Sequence, residues 1–153
     1  MTLRTTPTAC ALALFVGACG LFATPGYDPD DPTKVVCGCH DGQTCFEAAT
    51  ALANEKGENA ETGEDLLYYT QCACFQGSMA GCNIISHFAK DWVRACERGD
   101  DVKNSCAIAG FVHQHGVLVP QINGRSFPRD PEAAAKAFTL ACNAGSPVCD
   151  AYR

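Results

Sequence analysis

Ala73-Cys74-Phe75-Gln76-Gly77, Ala95-Cys96-Glu97-Arg98-Gly99 and Ala141-Cys142-Asn143-Ala144-Gly145 spell one pattern, Ala-Cys-x-x-Gly, three times in a chain of 153 residues. A further cysteine follows each copy after a short gap: Cys82, Cys106 and Cys149. Apolar residues at helical spacing precede the copies. Ile84, Ile85, Phe88, Ala89, Trp92, Val93 and Cys96 recur at i, i+3 and i+4. Ala134, Ala137, Phe138, Ala141 and Cys142 do the same behind Asp130-Pro131, an N-cap residue followed by proline at the first helical position. Each unit reads as a helix ending near a cysteine, a glycine at the C-cap, a tight turn, and a second cysteine opening the next helix. Two cysteines so placed face each other across the corner. The spacing therefore predicts the disulfides Cys74–Cys82, Cys96–Cys106 and Cys142–Cys149. Closing a loop of about nine residues stabilises by roughly 2.5 kcal/mol on the chain-entropy estimate. That is a large contribution to helices that are marginal alone.

Two helices precede these units. Thr44-Cys45-Phe46-Glu47 has capping-box form and opens a helix through Ala49, Leu52 and Ala53 to about Glu55. A polar loop from Gly57 to Gly63 follows, and Thr62 starts a helix carrying Leu66, Leu67, Tyr69, Thr70 and Ala73. The last pair covers Ser105 to His115 and Asp130 to Ala144, joined by a long loop with Pro120, Gly124 and Pro128. The expected fold is all-α, built of short antiparallel helix pairs stapled by disulfides, either an α-solenoid or a compact helical cluster.

The N-terminus carries an export signal. Met1 to Pro7 is polar with Arg4, and the apolar run to Ala18 is too short to span a bilayer but of signal-peptide length. Val16-Gly17-Ala18-Cys19 resembles the bacterial lipobox, which implies acylation of Cys19 and an outer-membrane anchor; ordinary secretion is the alternative. Residues 1–18 are thus read as a signal peptide, 19–36, rich in proline and aspartate, as a flexible tether, and 37–153 as the folded domain. Of the twelve cysteines, Cys10 goes with the signal and Cys19 with the lipid, leaving an even number for pairing in an oxidising compartment. The formal charge of −6 argues against nucleic-acid binding and against attraction to anionic lipid.

Cys37, Cys39, Cys45 and Cys72 remain after the three corner pairs, and they admit three pairings. The expectation is that Cys45 or Cys39 staples the first helix to Cys72 in the second. Cys37-Gly38-Cys39-His40 with Cys45 also has the residue types of a zinc site, but export favours disulfides, so neither metal nor other cofactor is expected. His113 and His115 diverge by about 200° on a helix and make poor joint ligands. His87 falls on the solvent side of its helix, while Phe88, Trp92, Phe111 and Phe138 read as core.

No Gly-x-Ser-x-Gly elbow, Ser-x-x-Lys or His-Glu-x-x-His occurs, so no catalytic residue is assigned. The loop bearing Leu118, Val119, Ile122, Asn123, Arg125 and Phe127 is the candidate binding surface, being long and mixed in chemistry.

The final helix pair resembles a Sel-one-like repeat, a relative of the tetratricopeptide repeat, in that family's cysteine-rich secreted branch. Gly110, Gly116 and Val119 match the family's first helix; Asp130, Ala134, Phe138, Ala141, Cys142 and Gly145 match its second. Ala109, His113 and Leu118 depart from it. Upstream the match weakens: Thr70 and Trp92 hold the aromatic position, and Cys74 and Cys96 stand too close for a whole repeat between them, so the middle unit reads as a single helix. The resemblance implies a binding scaffold for an envelope or extracellular protein or peptide. It also brings the β-lactamase or penicillin-binding label carried by relatives, and a purely structural envelope role is a third reading.

Overall fold

The computed structural model describes residues 25–28, 30–31, 34–119 and 127–150. The signal peptide, Cys10, Cys19, half of the tether and the loop residues Ile122, Asn123 and Arg125 lie outside the described residues. Among the described residues the chain is mostly helical. The helices are α1 (Gly42–Lys56), α2 (Gly63–Phe75), α3 (Met79–Arg98), α4 (Val102–His115) and α5 (Pro131–Asn143), followed by a 3-10 turn at Pro147–Asp150. Two short strands, β1 (Gly26–Tyr27) and β2 (Val35–Val36), pair antiparallel with Gly26 opposite Val36 and Tyr27 opposite Val35.

The repeated pentapeptide is one hydrogen-bonded corner written three times. At the end of α3 the Gly99 N–H donates to the Cys96 carbonyl and the Asp100 N–H to that of Ala95. Gly77 and Ser78 repeat this on Cys74 and Ala73, and Gly145 and Ser146 on Cys142 and Ala141. The chain reverses through a left-handed glycine, φ 76° at Gly99, which an L side chain would strain. Each corner carries the expected disulfide: Cys74–Cys82, Cys96–Cys106 and Cys142–Cys149.

Helix starts follow their caps. Asp130 accepts the Ala133 N–H at 2.9 Å ahead of Pro131, and Ser78 accepts the Gly81 N–H at 3.1 Å. At α1 the cap is Asp41 rather than Thr44. Its carboxylate accepts both the Thr44 N–H at 2.8 Å and the Thr44 hydroxyl at 2.9 Å, so the cap stands three residues before the expected one. An aspartate outranks threonine because its charge also favours the helix N-terminus.

Consecutive helices pack on one another, and α2 also packs on α4. Leu67, Ile85, Ile108, Val112 and Val117 are fully buried in the core so formed. Phe88, Phe111 and Phe138 join them, while Trp92 is half-buried with its indole N–H donating to Glu58 at 3.2 Å. Ile84, read as part of the apolar stripe, is exposed.

Two further expectations are corrected. Cys37, not Cys39 or Cys45, pairs with Cys72, and Cys39 pairs with Cys45. All four are thereby consumed in disulfides, which removes the zinc reading. The supposed tether is partly folded: Val35 and Val36 form β2, and Tyr27 packs against both clusters of the core. An aromatic ring and two β-branched residues have more to gain from burial than a flexible linker permits.

Candidate functional site

Two disulfides and one hydroxyl fasten the N-terminal segment across α1 and α2. Cys37 is tied to Cys72 and Cys39 to Cys45. Between these links the Tyr68 hydroxyl donates to the Val36 carbonyl at 2.9 Å and accepts the Gly38 N–H at 2.7 Å. Tyr68 rather than Tyr69 therefore faces inward on α2; it is buried, whereas Tyr69 is half-exposed.

Beneath the segment, Tyr27 stacks on the ring of His115, with centroids 3.5 Å apart and planes 9° from parallel. His115 is buried, and its Nε2 donates to Glu64 Oε1 at 2.7 Å. This places a residue of the N-terminal segment, the first turn of α2 and the last turn of α4 in one contact. Burial pushes the Tyr27 phenol well above its ordinary pKa, with the Glu64 charge and Tyr68 adding in the same direction. The phenol stays neutral, and its oxygen is buried with no hydrogen-bond partner among the described residues.

Between the fastened segment and the helices lies a cleft of about 690 Å³, within the range typical of ligand sites. Pro25, Gly26, Tyr27, Gly38 and Cys39 form one side; Thr44 and Ala48 of α1 and Glu64, Asp65, Tyr68 and Tyr69 of α2 form the other. The Tyr68 and Tyr69 rings meet edge-to-face, 5.0 Å apart at 63°. Glu64 and Asp65 sit in the first turn of α2, where negative charge also stabilises the helix. Thr44 is held by Asp41, and Cys39 is in a disulfide, so the lining offers carboxylates and aromatic faces rather than an activated nucleophile.

The loop singled out from sequence fares differently. Val117 pairs with Phe127 in both directions, at 2.8 and 2.9 Å, and Gln71 bonds the Leu118 backbone through both ends of its amide. Val119 is buried and Phe127 half-buried against the core, so neither is available to a partner; Leu118 is exposed. His113 and His115 diverge as expected. His113 lines a smaller groove with Glu97, Lys136 and Leu140, and burial lowers its pKa against the opposing charges of Asp130 and Glu97. His87 is exposed.

Sequence reasoning missed Tyr27, Glu64, Asp65, Tyr68 and Tyr69 as a group. The signal available was Glu64-Asp65 followed by Tyr68-Tyr69, an acid pair and an aromatic pair one helical turn apart. Tyr27 sat within a proline-rich stretch and carried no signal of its own.

The chain matches no family model, no curated protein and no solved structure.

Proposed function

We propose that this protein is a lipid-anchored envelope protein whose disulfide-locked helix pairs form a non-catalytic scaffold for binding a protein or peptide. The observation that carries the reading is the cleft between the N-terminal segment and α2. Its walls are joined covalently by Cys37–Cys72 and Cys39–Cys45, so it is formed before any partner arrives. A preformed site saves the ordering cost that binding otherwise meets, typically about 0.5–1.5 kcal/mol per immobilised side chain. The Ala-Cys-x-x-Gly corners support a helix-pair repeat architecture, in which stacked helices offer extended surface.

Acylation of Cys19 would put this site close to the bilayer. Pro25 belongs to the cleft wall and follows Cys19 by six residues, a reach of at most about 20 Å. The tether is thus short, and the partner is one found at the membrane surface.

Two measurements test the reading. Metabolic labelling with a fatty acid should mark the wild-type chain and not Cys19→Ala. A photocrosslinking residue at Tyr69, in the full chain in its own envelope, should capture a specific partner that the same residue at Lys136 does not. Turnover of a chromogenic β-lactam by the purified protein would replace the binding role with a hydrolytic one.

A further inference from the structure

We infer that the cleft recognises an organic cation, the ammonium or guanidinium group of a basic peptide side chain. The inference rests on the binding role proposed above and specifies what the cleft takes.

The lining has two carboxylates, Glu64 and Asp65, and no Lys or Arg. Glu64 already holds His115, but Asp65 is exposed and makes no hydrogen bond or ion pair among the described residues. Any ligand that fills the cleft removes water from that carboxylate. A neutral ligand would leave it partly desolvated and unpaired, an uncompensated loss of hydration. An anion would add repulsion from Glu64. A cation alone replaces the lost water with an opposite charge.

The aromatic residues point the same way independently of the acids. Tyr68 and Tyr69 meet at 63° with centroids 5.0 Å apart, which makes a corner of π surface beside the carboxylates. Aromatic faces attract ammonium and guanidinium groups within about 6 Å of the ring centroid. Tyr27 adds a third ring to the same lining, and its neutral phenol oxygen lacks a hydrogen-bond partner among the described residues. The chain's net charge of −6 favours approach of a cation over larger distances.

The experiment titrates the isotope-labelled, oxidised, soluble chain with four blocked tripeptides, followed by amide NMR. Two carry lysine or arginine between glycines; two carry the neutral isosteres acetyl-lysine and citrulline. The lysine and arginine peptides should shift the amides of Gly38 and residues 64–69 and leave α5 unmoved. Asp65→Asn and Tyr69→Leu should each weaken binding about fivefold. The Asp65 side chain makes no hydrogen bond or ion pair among the described residues, so its variant keeps the test valid if Tyr69→Leu disturbs the fold.

Equal binding of the neutral peptides would overturn the cation assignment while leaving the cleft a binding site. Absence of any shift at the cleft, with the Tyr69 crosslink intact, would also overturn it and leave the binding role standing. Loss of both would remove the two together.

Discussion

The ring of Phe138 on α5 packs on the bare Cα of Gly110 on α4, so closely that a Cβ at Gly110 would stand 2.5 Å from the ring. Phe111 meets the same ring edge-to-face at 5.2 Å. Gly110→Ala therefore adds a methyl group where none fits. Alanine gains about 1 kcal/mol in helix propensity, but overpacking costs about 1–3 kcal/mol, so the variant should be less stable. Because the clash is with one ring, Phe138→Leu in the same chain should relieve part of it. A double-mutant cycle from urea denaturation midpoints should then show coupling of about 0.5–3 kcal/mol. Simple additivity would mean that α4 and α5 shift apart instead.

Tyr68→Phe should loosen the cleft wall without unfolding the helices. It removes the acceptor of the Gly38 N–H and the donor to the Val36 carbonyl. Leaving such groups unpaired costs about 1–3 kcal/mol. Hydrogen exchange of the Gly38 amide should accelerate while amides of α4 keep their protection. Unchanged exchange at Gly38 would show that the two disulfides hold the segment alone.

Removing the two wall disulfides, each as a paired Cys→Ala change, should have unequal effects. Cys37–Cys72 closes a separation of 35 residues and Cys39–Cys45 one of 6. The chain-entropy estimate gives about 4 and about 2 kcal/mol. Calorimetry of the two variants compares them directly, and equal losses would contradict the entropic account.

Acid should release the start of α1 only at very low pH. The Thr44 backbone N–H, then the Thr44 hydroxyl and His40, lower the Asp41 pKa to about 2. The folded value lies below the unfolded one, so the stabilisation is complete above the ordinary aspartate range and disappears as pH falls through about 2. The Asp41 carboxyl carbon, followed by NMR, should titrate near that value, and Asp41→Asn should abolish the acid-dependent change at the Thr44 amide.

His113 adds a second dependence, in the range just below the ordinary histidine value. Burial disfavours its protonated form, so the unfolded chain binds the proton first as pH falls below the ordinary histidine value. Stability should decline through that window in the wild type and less so in His113→Gln, measured by denaturation midpoint against pH.

The three corner disulfides were legible because both partners of each lie within about seven residues of a glycine that ends a helix, and local geometry leaves them few alternatives. Cys37, Cys39, Cys45 and Cys72 were not, since spacing alone does not rank their three pairings. Tyr68 and Tyr69 are neighbours on a helix, so periodicity with a small error in phase exchanges the inward ring for the outward one. Val119 looked available in an irregular loop, yet the Gln71 amide and the Val117–Phe127 pairing draw its start into the core.

By itself, then, the sequence determined the helices, the Asp130 cap of α5 and the sulfur links across each corner, because those depend on residues a few positions apart. Only the tertiary structure decided the cleft. It brings Tyr27 from the N-terminal segment, Glu64 from α2 and His115 from α4 together, and contacts between residues so distant in the chain leave no period or spacing in the sequence to read.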